Sequence, residues 1–173
     1  NSSHIKRLQI SLYISNDNGV NNAYTINSTS GVWAYRDFNF PQAGNYSLSF
    51  DWKADGESTW DFMAVYYGEI NDVQTTSIRP TGPNDQIIPT SNTTLLINPI
   101  KNTLHFNQNT SWTTFSQDLQ ISSPGVKRLY FLWYNDGSGG TQHPVAVDNV
   151  SILNPVTCSV PTVIGVNTDT VLS

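Results

Sequence analysis

Apolar side chains recur every second residue wherever the chain is periodic, and nowhere do they hold the i, i+3, i+4, i+7 spacing of an amphipathic helix over three turns. The pattern predicts strands and little helix. Residues 46–54 are the clearest case. Tyr46, Leu48, Phe50 and Trp52 share one face, and Ser47, Ser49, Asp51 and Lys53 share the other, so one face meets a core and the other meets water. Residues 61–67 and 126–134 are apolar at both parities, the mark of a strand in mid-sheet with both faces covered. Further strands are expected at 8–14, 23–26, 31–40, 112–121 and 145–153.

Turn-forming clusters separate these segments: Asn16-Asp-Asn-Gly19, Pro41-Gln-Ala-Gly44, Ala54-Asp-Gly56, Ser123-Pro-Gly125 and Asn135-Asp-Gly-Ser-Gly-Gly140. Short strands punctuated in this way predict an all-β sandwich. Residues 78–110 break the rhythm with Pro80, Pro83, Pro89 and Pro99, and read as a long excursion with one short strand at 94–97. A second break falls at Asn154-Pro155. The expected organisation is one sandwich over residues 1–154, with 155–173 as linker and first strand of a following domain, and the chain as a piece of a longer polypeptide.

Composition narrows the partners. Lys and Arg number 8 against 13 Asp and Glu, for a net charge of -5, so there is no basic footprint for nucleic acid or anionic lipid. Only 12% of residues are charged while Asn, Ser and Thr abound and aromatics reach 12%, a balance suited to an extracellular β protein. The single Cys158 excludes an internal disulfide or a multi-cysteine metal cluster. No apolar run reaches the roughly 18 residues of a membrane span, and a monomer that does not insert into membranes is expected.

Three stretches together resemble a known module: Leu12-Tyr-Ile-Ser-Asn-Asp-Asn-Gly19; Phe50-Asp-Trp52 with Gly56-Glu-Ser-Thr-Trp-Asp61; and Trp133-Tyr-Asn-Asp-Gly-Ser-Gly-Gly140 leading into Val147-Asp-Asn-Val-Ser-Ile152. They are similar to the jelly-roll domains of Bacteroidetes surface proteins related to cleaved-adhesin and MAM-like domains. The tail Val156-Thr-Cys-Ser-Val-Pro161 resembles the start of a fibronectin type III repeat. The resemblance spans about residues 8–153 and implies a two-sheet antiparallel jelly roll, secreted or displayed at the cell surface. It also implies that Asp148 takes the place of a cation-binding Asp. Related jelly rolls open with a Gly-Phe-Glu-like strand whose acid helps hold that cation, and nothing before Leu12 matches it.

By its own parity Asp148 falls with Ala146, Val150 and Ile152, on an apolar face where a carboxylate needs compensation. A structural calcium ion held by Asp148 with Asp51, or with Asp61, would supply it, as would backbone N–H groups or a Lys or Arg. For sugar, exposed aromatics are the usual platform. Trp33 and Tyr35 alternate along one strand with Asp37 on the same parity, Trp60 follows a polar turn, and Tyr134 takes the parity opposite its strand's other large residues. These four are the candidate ligand-binding residues, whereas Trp52 and Trp133 read as core. Acids for glycosidic hydrolysis exist in Asp51, Asp55, Glu57, Asp61 and Asp148, but His4, His105 and His143 are scattered and no nucleophile elbow accompanies them. The reading is a non-catalytic module for carbohydrate binding or adhesion whose partner is a glycan or a surface protein. The alternatives are a structural spacer or protein-contact module and, third, a glycoside hydrolase.

Overall fold

A computed structural model of the chain describes residues 11–70, 94–96, 98, 103 and 105–154. The linker and following strand expected in 155–173, with Cys158, lie outside the described residues, as do residues 8–10 of the strand expected at 8–14 and much of the 78–110 excursion. The described chain forms β1 (Leu12–Tyr13), β2 (Ser30–Phe40), β3 (Gly44–Ala54), β4 (Phe62–Glu69), β5 (Thr94–Leu95), β6 (Asn109–Ile121), β7 (Gly125–Asn135) and β8 (Ala146–Leu153), with no helix among the described residues. One sheet runs β1-β8-β3-β6 and the other β2-β7-β4-β5, every pairing antiparallel. This is a two-sheet antiparallel jelly-roll sandwich.

The core fills the space between the sheets. Tyr46, Leu48, Phe50 and Trp52 project from β3 onto Met63 and Val65 of β4 and Phe131 and Trp133 of β7, all buried. Phe50 is the hinge of the packing: it stacks on Phe115 at 4.7 Å within its own sheet and meets Phe131 of the other sheet edge-on at 5.5 Å. Burying a side chain of that size stabilises by about 2–3 kcal/mol. As their two-sided apolar patterns predicted, β4 and β7 lie inside their sheet, each with a neighbour on both edges.

Two local readings fail for identifiable reasons. Residues 23–26 form no strand, apart from an isolated bridge of Ala23 to Ser15. The Gln142 side chain takes the place of a partner strand there, accepting from the Tyr24 N–H at 3.3 Å and donating to the Tyr24 carbonyl at 2.7 Å. In β8, alternation is broken by a bulge: Ser151 pairs with Ser49 but Asp148 pairs with Asp51, so Asn149 and Val150 together oppose Phe50. Asn149 turns the chain with φ of 51°. Val150 and Ile152 therefore pack on the core, while Asp148 emerges on the outer face beside Asp51, not on the apolar face that strict alternation gave it.

Candidate functional site

The second sheet is apolar on its outer face as well as its inner one. Register sets Tyr35, Tyr130 and Tyr66 in one row across β2, β7 and β4; on one side lies the row Trp33, Leu132 and Ala64, then Tyr134 with Phe62, and on the other side Asp37 with Arg128. Phe62, Ala64, Tyr66, Tyr130, Leu132 and Tyr134 make a second buried cluster with Trp33 packed against it. Trp33 lies 5.7 Å from Tyr66 and meets Tyr130 edge-on at 6.3 Å. Tyr35 on the edge strand is 59% exposed, and the Arg128 guanidinium sits 3.7 Å from its ring centre. Arg128 also donates twice to the Asp37 carboxylate, at 2.6 and 2.9 Å, which holds that acid below the usual carboxylate range.

Of the four ligand candidates, Trp33 and Tyr35 thus share one face, half-buried and exposed respectively. Tyr134 lies on the same face but is 1% exposed, its ring 5.7 Å from that of Phe62. Trp60 is elsewhere, half-buried in the turn before β4. Two polar groups on this face lack a hydrogen-bond partner although their atoms are buried: the Trp33 indole nitrogen and the Tyr66 hydroxyl. Burial raises the Tyr66 pKa far above the phenol range, so its hydroxyl keeps its proton and remains a donor. Sequence reasoning passed over Tyr66, Tyr130 and Arg128 because their contribution depends on which strands lie side by side, and alternation within a strand carries no record of its neighbours.

A carboxylate cluster sits at one end of the sandwich, where the β1–β2, β3–β4 and β7–β8 connections pass between the sheets. One carboxylate oxygen from each of Glu57, Asp61 and Asp136 lies within 4.8 Å of the others. Asp61 is fully buried, accepting from the Tyr24 hydroxyl at 2.5 Å and the Asp136 N–H at 3.2 Å. The Asn107 amide donates to the carbonyls of Glu57 and Asp61. Burial pushes the carboxyls of Asp61 and Glu57 upward, and for Glu57 the neighbouring Asp136 and Asp61 charges add to it. Glu57 Oε2 is buried without a partner. Hard oxygen donors, mutual repulsion and an unanswered buried oxygen are what a divalent cation would resolve, so the residues fit a metal ion. Asp61 was among the acids singled out in the sequence; Asp136 was hidden inside a segment read only as a turn.

Asp51 and Asp148, the expected metal ligands, do meet, directly opposite one another across β3 and β8. Asp51 accepts from Thr114 at 2.5 Å and from the Asn149 amide at 2.7 Å, and these bonds, that from Asn149 foremost, lower its pKa. Asp148 accepts from Ser11 at 3.0 Å and from the Asn149 N–H at 2.7 Å. They lie in the first sheet, away from the cluster at Glu57, so these five acids form two separate groups.

No protein-family model matches the chain. No curated protein matches it either. Among solved structures it is similar in fold to one described as "CBM4 structure and function", with a TM-score of 0.37 and 16% identity over 76% of this chain. The match spans 63% of that structure's length.

Proposed function

We propose that this chain is a non-catalytic carbohydrate-binding module of a larger extracellular protein, holding its glycan on the outer face of the second sheet around Trp33 and Tyr35. The observation that carries the reading is the exposed ring of Tyr35 beside the half-buried Trp33 on one sheet face, with the Asp37–Arg128 pair next to them. A sugar has C–H faces to pack on these rings and hydroxyls to bond the polar groups beside them. Asp37 and Arg128 at the end of the aromatic rows supply an acceptor and a donor for further hydroxyls. Adhesion to surface glycans is the role such a module would serve.

Calcium belongs to the same reading, as a structural ion held by Glu57, Asp61 and Asp136. It takes no part in binding chemistry at Trp33.

A glycan array probed with the wild type and with the Trp33→Ala, Tyr35→Ala double variant tests the site. Selective binding that the double variant weakens by about tenfold or more is expected. A glycan that binds both proteins equally, or an array blank for the wild type, would overturn the assignment.

A further inference from the structure

The outer face of the first sheet carries features that this function does not use. Trp112 of β6 is 46% exposed, a large apolar surface in water on the face that also carries Asp51 and Thr114. The Lys53 ammonium lies 5.0 Å from the centre of its ring. On one side a hollow of about 210 Å³ is lined by Ser11, Asp51, Trp112, Asp148 and Asn149. A smaller hollow of about 60 Å³ is lined by Lys53, Asp55 and His143 among others, and by Asn22, whose side-chain oxygen is buried with no partner. Lys53 bounds the second hollow and reaches over Trp112, which bounds the first. The two therefore adjoin along the chain from Asp51 in β3 to Asp55 just past its end, a run of about 13 Å at the rise of a strand.

Their chemistry is specific. Asp51 and Asp148 each spend one lone pair per carboxylate oxygen on protein donors, namely Thr114, Asn149 and Ser11, which fixes both groups and leaves further lone pairs available. A ligand must therefore bring donors to this end, and vicinal hydroxyls do so. Lys53, His143 and Asn22 offer donors and acceptors at the other end, and Trp112 between them offers a flat apolar surface. The same carboxylates repel an anionic ligand. We infer that this strip is a second glycan site, independent of the face at Trp33, that takes a neutral oligosaccharide by stacking a pyranose ring on Trp112 and receiving its hydroxyls at Asp51 and Asp148. The chain is then a two-faced glycan binder.

The test uses the Trp33→Ala, Tyr35→Ala protein beside the wild type, titrated calorimetrically with cellohexaose, xylohexaose, mannohexaose, laminarihexaose and an oligogalacturonate. The expected result is that the double variant still binds at least one neutral hexasaccharide and not the oligogalacturonate. Adding Trp112→Ala, or separately the near-isosteric Asp51→Asn, should weaken that binding about tenfold or more. Trp112 is a surface side chain, so an unchanged melting temperature serves as the control for folding. Residual binding indifferent to both changes overturns the site. Binding by the wild type that the double variant loses entirely overturns it too, while leaving the first face standing. Binding of calcium alone that Asp51→Asn abolishes and Trp112→Ala spares, with no neutral sugar bound, makes the hollow a cation site and overturns the glycan assignment. A blank for both proteins overturns both faces.

Discussion

Gly140 shows how far one residue decides the carboxylate cluster. A Cβ built there would collide with the Asp61 carboxylate and the Tyr24 hydroxyl, two fully or nearly buried groups joined to one another, so neither can swing away. Gly140→Ala should cost about 1–3 kcal/mol, read as a lower urea midpoint with unchanged slope. Gly19 is the contrast: its φ is 84° but nothing lies within 4 Å of an added Cβ, and Gly19→Ala should cost only the backbone penalty of about 1–2 kcal/mol. In the sequence both glycines are turn residues and nothing distinguishes them. Asp17 is legible in the same limited way. It was readable as part of a turn, and the turn is what makes it acidic: the Ser15 hydroxyl and the N–H groups of Asn21 and Val20 converge on its carboxylate, and hydrogen bonding lowers its pKa to about 2. Residue type announces a capacity for such bonds, but only the folded backbone says which groups arrive.

At the scale of the element, alternation was a sound guide where one face of a strand is wet. β3 follows it without exception from Tyr46 to Ala54, because a single-residue slip would expose Phe50 and Trp52 together. β4 and β7 carried a different signal, apolar at both parities, and it reported correctly that both faces are covered. β8 defeated the rule through one residue. Asn149 in the left-handed region inserts an extra position opposite Phe50, and every side chain on its N-terminal side changes face. The bulge is why Asp148 stands beside Asp51. Asn149→Val places a β-branched residue at φ of 51° and removes the amide bond to Asp51, so a loss of about 1–2 kcal/mol in chemical denaturation is expected. Asn149→Gly, free of the backbone strain, should lose less than half of that.

For the whole molecule, the three connections that pass between the sheets near Tyr24, Asp61 and Asp136 make one end of the sandwich the place where the layers are tied. An ion there would bind the native state alone, so millimolar calcium should raise the melting temperature relative to chelator, and a ligand at a hundred times its Kd would add about 2.7 kcal/mol. Glu57→Gln should remove most of that gain. The pH dependence has a definite sign. Glu57 and Asp61 hold their protons more tightly folded than unfolded, so in chelator their contribution is fully present below the ordinary carboxylate range and is lost as pH rises through their raised values. Against Glu57→Gln, the wild type should therefore lose stability with rising pH in chelator and keep it in calcium. The order of the strands has a consequence of another kind. β7 is the inner partner of both β2 and β4, with Ser30 paired to Asn135, and β8 is the inner partner of β1 and β3. Neither sheet can close until the last third of the described chain exists, and each closure draws together segments about a hundred residues apart in the sequence. High contact order of this sort places folding on the millisecond-to-second side of the range. During synthesis the earlier strands must wait, with their apolar faces in water, for the polypeptide beyond residue 125 to emerge.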